Sequence, residues 1–198
     1  MKTLLLTFLI SFFISNLNGQ ILFSNIDIKF KIVKSNKSTE LICSNSTMSI
    51  KFQLKHNIVI MQEQNFVTID DQIVQITPLK ISGYKKGFTS LNINEQKRLL
   101  EIYSKYELDY FKNELNVEII NPSSQWVMTK SKGWIVWYFR VGKPPELNNK
   151  TEIQLFASTI IGDKVLTINA PQSADTDFKK ASLILNEMKE SLRTNIKK

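Results

Sequence analysis

The chain has 198 residues, with 26 lysines and arginines against 18 aspartates and glutamates, a formal net charge of +8. A single cysteine and a single histidine exclude an internal disulfide and a clustered Cys/His metal site. The basic residues are scattered, in pairs at most (Lys85-Lys86, Lys179-Lys180, Lys197-Lys198), and no basic-aromatic cluster accompanies them, so the charge describes a solvated surface rather than a nucleic-acid site.

Residues 1–19 have the layout of a secretory signal: Lys2, an apolar stretch over 4–14, then Asn16, Asn18 and Gly19 before the expected cut. The apolar part is too short to span a bilayer, which takes about twenty residues, and no later stretch is longer. The expectation is an exported protein, secreted or periplasmic, whose mature chain runs over 20–198 with no transmembrane segment. Cys43 lies far beyond the signal, so it is no lipid anchor; a lone thiol in such a chain is expected to be buried.

Ile26, Ile28, Phe30 and Ile32 alternate with Asp27, Lys29 and Lys31, the pattern of a half-buried strand. Residues 35–47 are rich in Ser and Asn and read as a loop around an apolar patch at Leu41-Ile42-Cys43. Asn36 and Asn45 there, and Asn149 later, begin tripeptides of the N-glycosylation pattern. Short β-like runs follow at 49–54, 57–61, 66–69 and 72–76. Asp70-Asp71 marks a tight hairpin between the last two, and Pro78 should limit pairing on one side of the chain.

A helix is predicted over 92–115. Asn92 can cap it with Glu95 three residues on, and Leu99, Tyr103, Tyr106 and Tyr110, widened by Leu100 and Phe111, form its apolar stripe. Lys97, Arg98, Glu101, Lys105 and Glu107 fill the remaining positions. The tyrosines read as core residues whose hydroxyls reach the edge of a sheet.

Residues 117–120 form a short strand stopped by Asn121-Pro122, and 125–129 another, carrying Trp126 and Met128. Gly133–Val141 is the most aromatic run of the mature chain and reads as the central strand. Its alternation puts Ile135, Trp137, Phe139 and Val141 on one face, a core surface for a helix, and Trp134, Val136, Tyr138 and Arg140 on the other. The segment 142–150, with Pro144-Pro145, reads as an inert excursion. Gly162-Asp163 then joins residues 151–161 to 164–169 in a two-residue hairpin that pairs Ile161 with Lys164, Thr159 with Leu166 and Ala157 with Ile168. A last helix follows, capped by Ser173 or Asp175, with a seam of Phe178, Ala181, Leu185, Met188 and Leu192 and with Lys189, Arg193, Lys197 and Lys198 in its final turns.

These elements make an α+β fold: an antiparallel β-sheet with packed helices, in a single domain after the signal peptide. From the helix at 92–115, the strand with Trp126, the Gly133–Val141 strand, the Gly162-Asp163 hairpin and the helix with Phe178 and Leu192, the chain resembles the PsbP-like and DcrB-like α/β/α sandwich group. The resemblance spans roughly residues 90–195 and is one of element order. It implies an antiparallel sheet between helices and leans toward an accessory or binding role.

Little in the sequence carries chemistry. His56, within Leu54-Lys55-His56-Asn57, has nothing beside it that marks a base and reads as a turn or edge residue. No glycine pattern for phosphate is present, and no cofactor or metal is implied, apart from the open alternative of calcium held by distant carboxylates. Trp126, Trp134, Trp137 and Tyr138 could meet on adjacent strands, with Arg140 at the end of the row. Of these, Trp134, Tyr138, Arg140 and Trp126 are the candidate ligand-binding residues, weighed against their use as plain core.

The expected function is therefore an exported, non-catalytic accessory or binding protein for an unidentified protein or small molecule. The alternatives are a secreted hydrolase with carboxylate or serine chemistry, and a protein-interaction subunit. A deep pocket with two acids, or a serine beside His56, would favour the hydrolase. Burial of Trp134, Tyr138 and Arg140 under a helix would remove that surface as a site.

Overall fold

A computed structural model describes residues 21–62, 65–83, 91–130, 132–142, 151–173 and 178–196. The signal segment, the stretch at 143–150 with Asn149, Asp175 and Lys197-Lys198 lie outside the described residues. No helix among the described residues is long and apolar enough to cross a membrane.

Among the described residues the larger of two sheets has eight strands, all pairings antiparallel. Its order is β5 (Ile58–Ile60), β6 (Phe66–Ile69), β7 (Gln72–Ser82), β11 (Lys164–Ser173), β10 (Thr151–Ile161), β9 (Gly133–Val141) and β8 (Ile119–Met128), with β1 (Leu22–Asn25) joining β7 where β6 has ended. The smaller sheet runs β12 (Arg193–Ile196), β4 (Met48–Leu54), β3 (Thr39–Ser44), β2 (Lys29–Lys34). Helix α1 (Ile93–Asn113) covers one face of the large sheet. Helix α2 (Phe178–Ser191) and the small sheet cover the other. The α+β expectation holds.

Period-two alternation divides the side chains of each large-sheet strand between two cores. Ile135, Trp137 and Phe139 of β9 pack with Leu99, Leu100, Tyr103 and Phe111 of α1. Trp134 of β9 and Leu166 and Ile168 of β11 face Leu41, Phe52, Leu185 and Met188 on the opposite side. Cys43 belongs to this second core, where burial pushes its thiol pKa far up, as for an inert small hydrophobe.

Local signals hold where a turn or cap dictates geometry. Asn92 and Glu95 form the reciprocal capping box of α1. Asp70 and Asp71 both take positive φ (46° and 68°), the two-residue hairpin geometry that aspartate tolerates. The Gly162-Asp163 turn sets the register, with Ile161 opposite Lys164, Thr159 opposite Leu166 and Ala157 opposite Ile168. Pro78 sits at the handover from β6 to β1, and its carbonyl accepts from Ile26 N–H (3.1 Å). A residue's N and O point to the same side of a strand, so the missing N–H falls in that seam, while β11 pairs undisturbed on the other side.

Five expectations change. β9 is interior but not central; β11, buried along most of its length, occupies the middle of the sheet. Residues 39–44 form a strand, not a loop: Leu41 and Cys43 point inward while Glu40, Ile42 and Ser44 stay half-buried, an alternation short and polar enough to resemble loop composition. The segments around Asn121-Pro122 are one strand, β8, whose register shifts between Ile120 and Ser123, with Asn121 at φ 50°. α2 stops at Ser191. Leu192 stays buried as the chain turns, and Arg193–Ile196 pair with β4 instead of extending the helix. Ile184 joins the buried seam, whereas Phe178, assigned to it, is exposed.

Gly133 shows how tightly the first core is built. A Cβ there would lie 2.2 Å from Trp126 Cζ2 and 3.2 Å from Ile93 Cδ1. Gly133→Ala is therefore expected to lower stability by about 1–3 kcal/mol through overpacking. Chemical denaturation should show a smaller loss for the same substitution in a Trp126→Leu background, and equal losses would show that the ring is not the obstacle.

Candidate functional site

On α1, Leu99, Tyr103, Glu107 and Phe111 recur every fourth residue and face the large sheet. Glu107 is only 5% exposed. Opposite it, the sheet is polar rather than apolar: Thr77 and Gln75 of β7 lie across from Thr167 and Asn169 of β11, and Ser158 of β10 lies across from Thr167. These side chains share one face because they sit at alternate positions of three adjacent strands. A cavity of about 30 Å³, partly open to solvent, lies among Glu107, Gln75, Thr77, Thr167 and Asn169, with Asn25 of β1 at its rim. Tyr103, Phe111, Phe156 and Leu79 complete its apolar wall. That volume holds one or two waters or a single small group, well short of the roughly 300–1,000 Å³ of a pocket for a whole organic ligand.

A chain of hydrogen bonds with one direction ends at the carboxylate. The Trp137 indole can only donate, and its Nε1–H reaches Ser158 Oγ at 3.4 Å, a long bond. Ser158 Oγ then donates to Thr167 Oγ1 (3.0 Å), Thr167 Oγ1 to the Tyr103 hydroxyl (2.9 Å), and Tyr103 to Glu107. Each donor polarises the next, so the sum favours an anion at Glu107. Desolvation is larger, however, and burial pushes the Glu107 pKa up to about 7 despite the bond from Tyr103. Burial and then the charge of Glu107 likewise raise the pKa of Tyr103 well above the usual phenol range. Asn169 spends its amide N–H groups on Gln154 Oε1 (2.9 Å) and the Leu155 carbonyl (3.4 Å), leaving its side-chain oxygen as an acceptor.

The aromatic wall is rigid. Trp137 stacks on Phe156 (3.8 Å, 5° between planes), and Phe111 meets Phe139 and Phe156 edge-on. Phe23 of β1 closes against Tyr103 at 5.1 Å.

A second ionisable cluster lies on the far side of the molecule. His56, in the turn after β4, places Nδ1 2.6 Å from Asp70 Oδ2 and Nε2 2.8 Å from Glu187 Oε2 of α2. The same carboxylates take the backbone N–H groups of Asn57 and Lys55, and Lys180 Nζ bonds the Asp70 carbonyl. Desolvation is the largest single influence on His56 and opposes its charge, but the bond to Asp70 and the charge of Glu187, with smaller contributions from both, outweigh it and raise its pKa. The bond from His56 holds the Asp70 pKa down. With both nitrogens occupied by carboxylates, the imidazole is a clamp between the small sheet, the β6–β7 turn and α2, not a base for a nucleophile. Among the described residues no group of three His, Cys, Asp or Glu side chains is placed to hold a metal ion.

The four residues singled out from the sequence do not come together. Trp134 is fully buried between the sheets, its indole N–H without a hydrogen-bond partner among the described residues. Trp126 pairs with Ile135 and so lies on the opposite, α1 face. Tyr138, 37% exposed, meets the exposed Phe178 of α2 edge-on at 6.2 Å, and Arg140 is exposed beside it. Glu107, placed among the solvent positions of the helix, is the residue that sequence reasoning missed. Its fourfold spacing with Leu99, Tyr103 and Phe111 was the available signal, together with Gln75/Thr77 and Thr167/Asn169 recurring at alternate positions of otherwise apolar strands.

Between about pH 4.5 and 7 the folded chain holds a proton on Glu107 that the unfolded chain has lost, so this group's contribution to stability falls as pH rises and levels off above 7. Glu107→Gln should leave stability near pH 4 little changed and raise it at pH 8 by about 1–3 kcal/mol, read from urea midpoints across pH. A variant no more stable than wild type at pH 8 would contradict the buried-acid assignment. The His56 clamp is fully formed below the unfolded histidine pKa of about 6.5 and is lost as pH rises through the raised folded value. His56→Gln is therefore expected to destabilise most at pH 5–6, with the gap from wild type narrowing at higher pH. A pH-independent difference would mean that the ring acts by packing alone.

No family model matches the chain, and no curated protein matches it either. Among solved structures the chain is similar to the solution structure of cyanobacterial PsbP (CyanoP) from Synechocystis sp. PCC 6803. That similarity has 12% identity and a TM-score of 0.42, covering 85% of this chain and 93% of that one. That protein bears the name of the group whose element order the sequence resembles; the architecture itself rests on the strand pairings above.

Proposed function

We propose that this chain is an exported, non-catalytic binding protein of accessory type, and that it recognises its ligand in the polar pocket under α1. The observation that carries this reading is the directed run of donors ending on one buried carboxylate at a small, solvent-connected cavity. Buried polar groups of this kind weaken a core unless they are satisfied, and apolar replacements would pack the same space more stably. A hydrolase would need a second acid in the pocket or a free base near a nucleophile. Among the described residues the pocket is lined by one acid, and His56 has both nitrogens engaged. Export rests on the signal pattern at residues 1–19.

The exposed Tyr138–Phe178 pair beside Arg140 supports a second reading, a protein-contact surface on the α2 side. A panel of small polar molecules, followed by amide chemical shifts of the isotopically labelled protein, separates the two. Under the first reading, shifts gather at Tyr103, Glu107, Thr167 and Asn169. A silent pocket, with partner-induced shifts confined to Tyr138, Arg140 and Phe178, would replace it with the second.

A further inference from the structure

We infer that the pocket under α1 takes a primary ammonium group, R–CH2–NH3+, seated between the Glu107 carboxylate, the side-chain oxygen of Asn169 and the aromatic wall. This rests on the proposed binding role of that pocket and names the chemistry it selects.

Charge and hydrogen bonding point the same way. Among the described residues no lysine, arginine or histidine lines the cavity, and the one ionisable lining group besides Tyr103 is an acid, so an anion would meet Glu107 with no compensating cation from them. The fixed groups accept: the Asn169 amide nitrogen is spent on Gln154 and Leu155, and the Tyr103 proton is spent on Glu107. Gln75 and Thr77 also line the cavity, and neither side chain has a protein hydrogen bond among the described residues, so each has an oxygen to offer. An ammonium brings three donors and a charge, which matches this acceptor set. Phe111, Phe156 and Tyr103 supply ring surfaces of the kind that attract an organic cation.

Size and ligand count narrow the class. A cavity of about 30 Å³ admits one head group and excludes a quaternary ammonium or a guanidinium with its water. A divalent metal ordinarily takes several carboxylates or imidazoles, and no such group is placed to hold one among the described residues. Among the described residues the titratable groups around Glu107 are Tyr103, Tyr106 and Tyr110 of its own helix. The strands packed against it present Asn25, Gln75, Thr77, Phe156, Thr167 and Asn169, none of which titrates. The cation therefore binds the ionised acid and competes with its proton.

The test uses the full chain and methylammonium chloride, with sodium chloride at matched ionic strength, tetramethylammonium and the neutral acetamide as comparisons. Amide shifts around Tyr103, Glu107 and Asn169 are expected with methylammonium at pH 8 alone of the four, with the apparent affinity roughly a hundredfold weaker at pH 5, where Glu107 is protonated. Glu107→Gln should abolish the shifts, while Glu101→Gln, on the exposed side of the same helix, should leave them intact. The pH comparison needs no variant, so a poorly folded Glu107→Gln does not block the test. Equal shifts with sodium or tetramethylammonium, or affinity unchanged with pH, would overturn the ammonium assignment. Shifts with acetamide but not methylammonium would also overturn it, while leaving a binding pocket in place; no shift with any probe would overturn both. Comparing ethylammonium with a blocked Gly-Lys-Gly peptide names the source, the tighter of the two marking either a free amine or a protein lysine.

Discussion

A sheet covered on both faces has no wet side, so each interior strand must serve two cores at once. β9 does this with large residues: Ile135, Trp137 and Phe139 toward α1, Trp134 and Val136 toward α2 and the small sheet. β7 and β11 do it asymmetrically. Val74, Ile76, Leu166 and Ile168 feed the second core, whereas their alternate neighbours Gln75, Thr77, Thr167 and Asn169 carry polar atoms into the first. An unpaired polar group in such a place costs about 1–3 kcal/mol, which is why these residues gather in register instead of scattering. Antiparallel pairing brings Thr167 beside both Thr77 and Ser158, and α1 supplies Tyr103 to join them.

The polar patch also explains the position of the one buried acid. A leucine at 107 would continue the apolar stripe of Leu99, Tyr103 and Phe111. The glutamate instead places a carboxyl beside the cavity, near its titration midpoint at neutral pH. Burial without a paired cation, next to a hole large enough for a small group, is the arrangement in which a carboxyl's affinity for protons and its affinity for cations compete most evenly.

Much of the fold could be read from the sequence, because turns and caps are local. Asn92 with Glu95, Asp70-Asp71, Gly162-Asp163 and the two faces of Gly133–Val141 needed only neighbours a few residues away. What escaped depended on distant partners. β3 is a strand because β2 and β4 flank it, although its Ser/Asn surroundings resemble a loop. Arg193–Ile196 leave the helical pattern because β4 offers an open edge. The aromatic site candidates failed to assemble for a related reason: alternation was followed along β9, but the pairing of Trp126 with Ile135 sets the side on which that ring lies. Glu107 was legible only in part. Its spacing marked the buried stripe, yet charge argued for solvent, and the polar cluster that receives it is built from strands more than fifty residues downstream and some thirty upstream.

The two ionisable clusters lie on opposite faces of the large sheet, and His56 in one biases the chain the same way as Glu107 in the other. Asp70, with its pKa held down, contributes to folding above its ordinary value of 3.8 and loses that contribution in stronger acid. His56 and Glu107 both bind protons more tightly folded than unfolded, so both contributions fade as pH rises. All three contributions are near full strength together only around pH 4–4.5, and that of Glu107 fades from there to about pH 7. Above that range Glu107 ionises inside the core, and the folded state is left with a buried anion. A cation in the adjacent cavity neutralises that anion and, by linkage, restores stability where the proton no longer does. The group that weakens the fold at neutral pH is thus the one whose pairing with a positively charged ligand would strengthen it most.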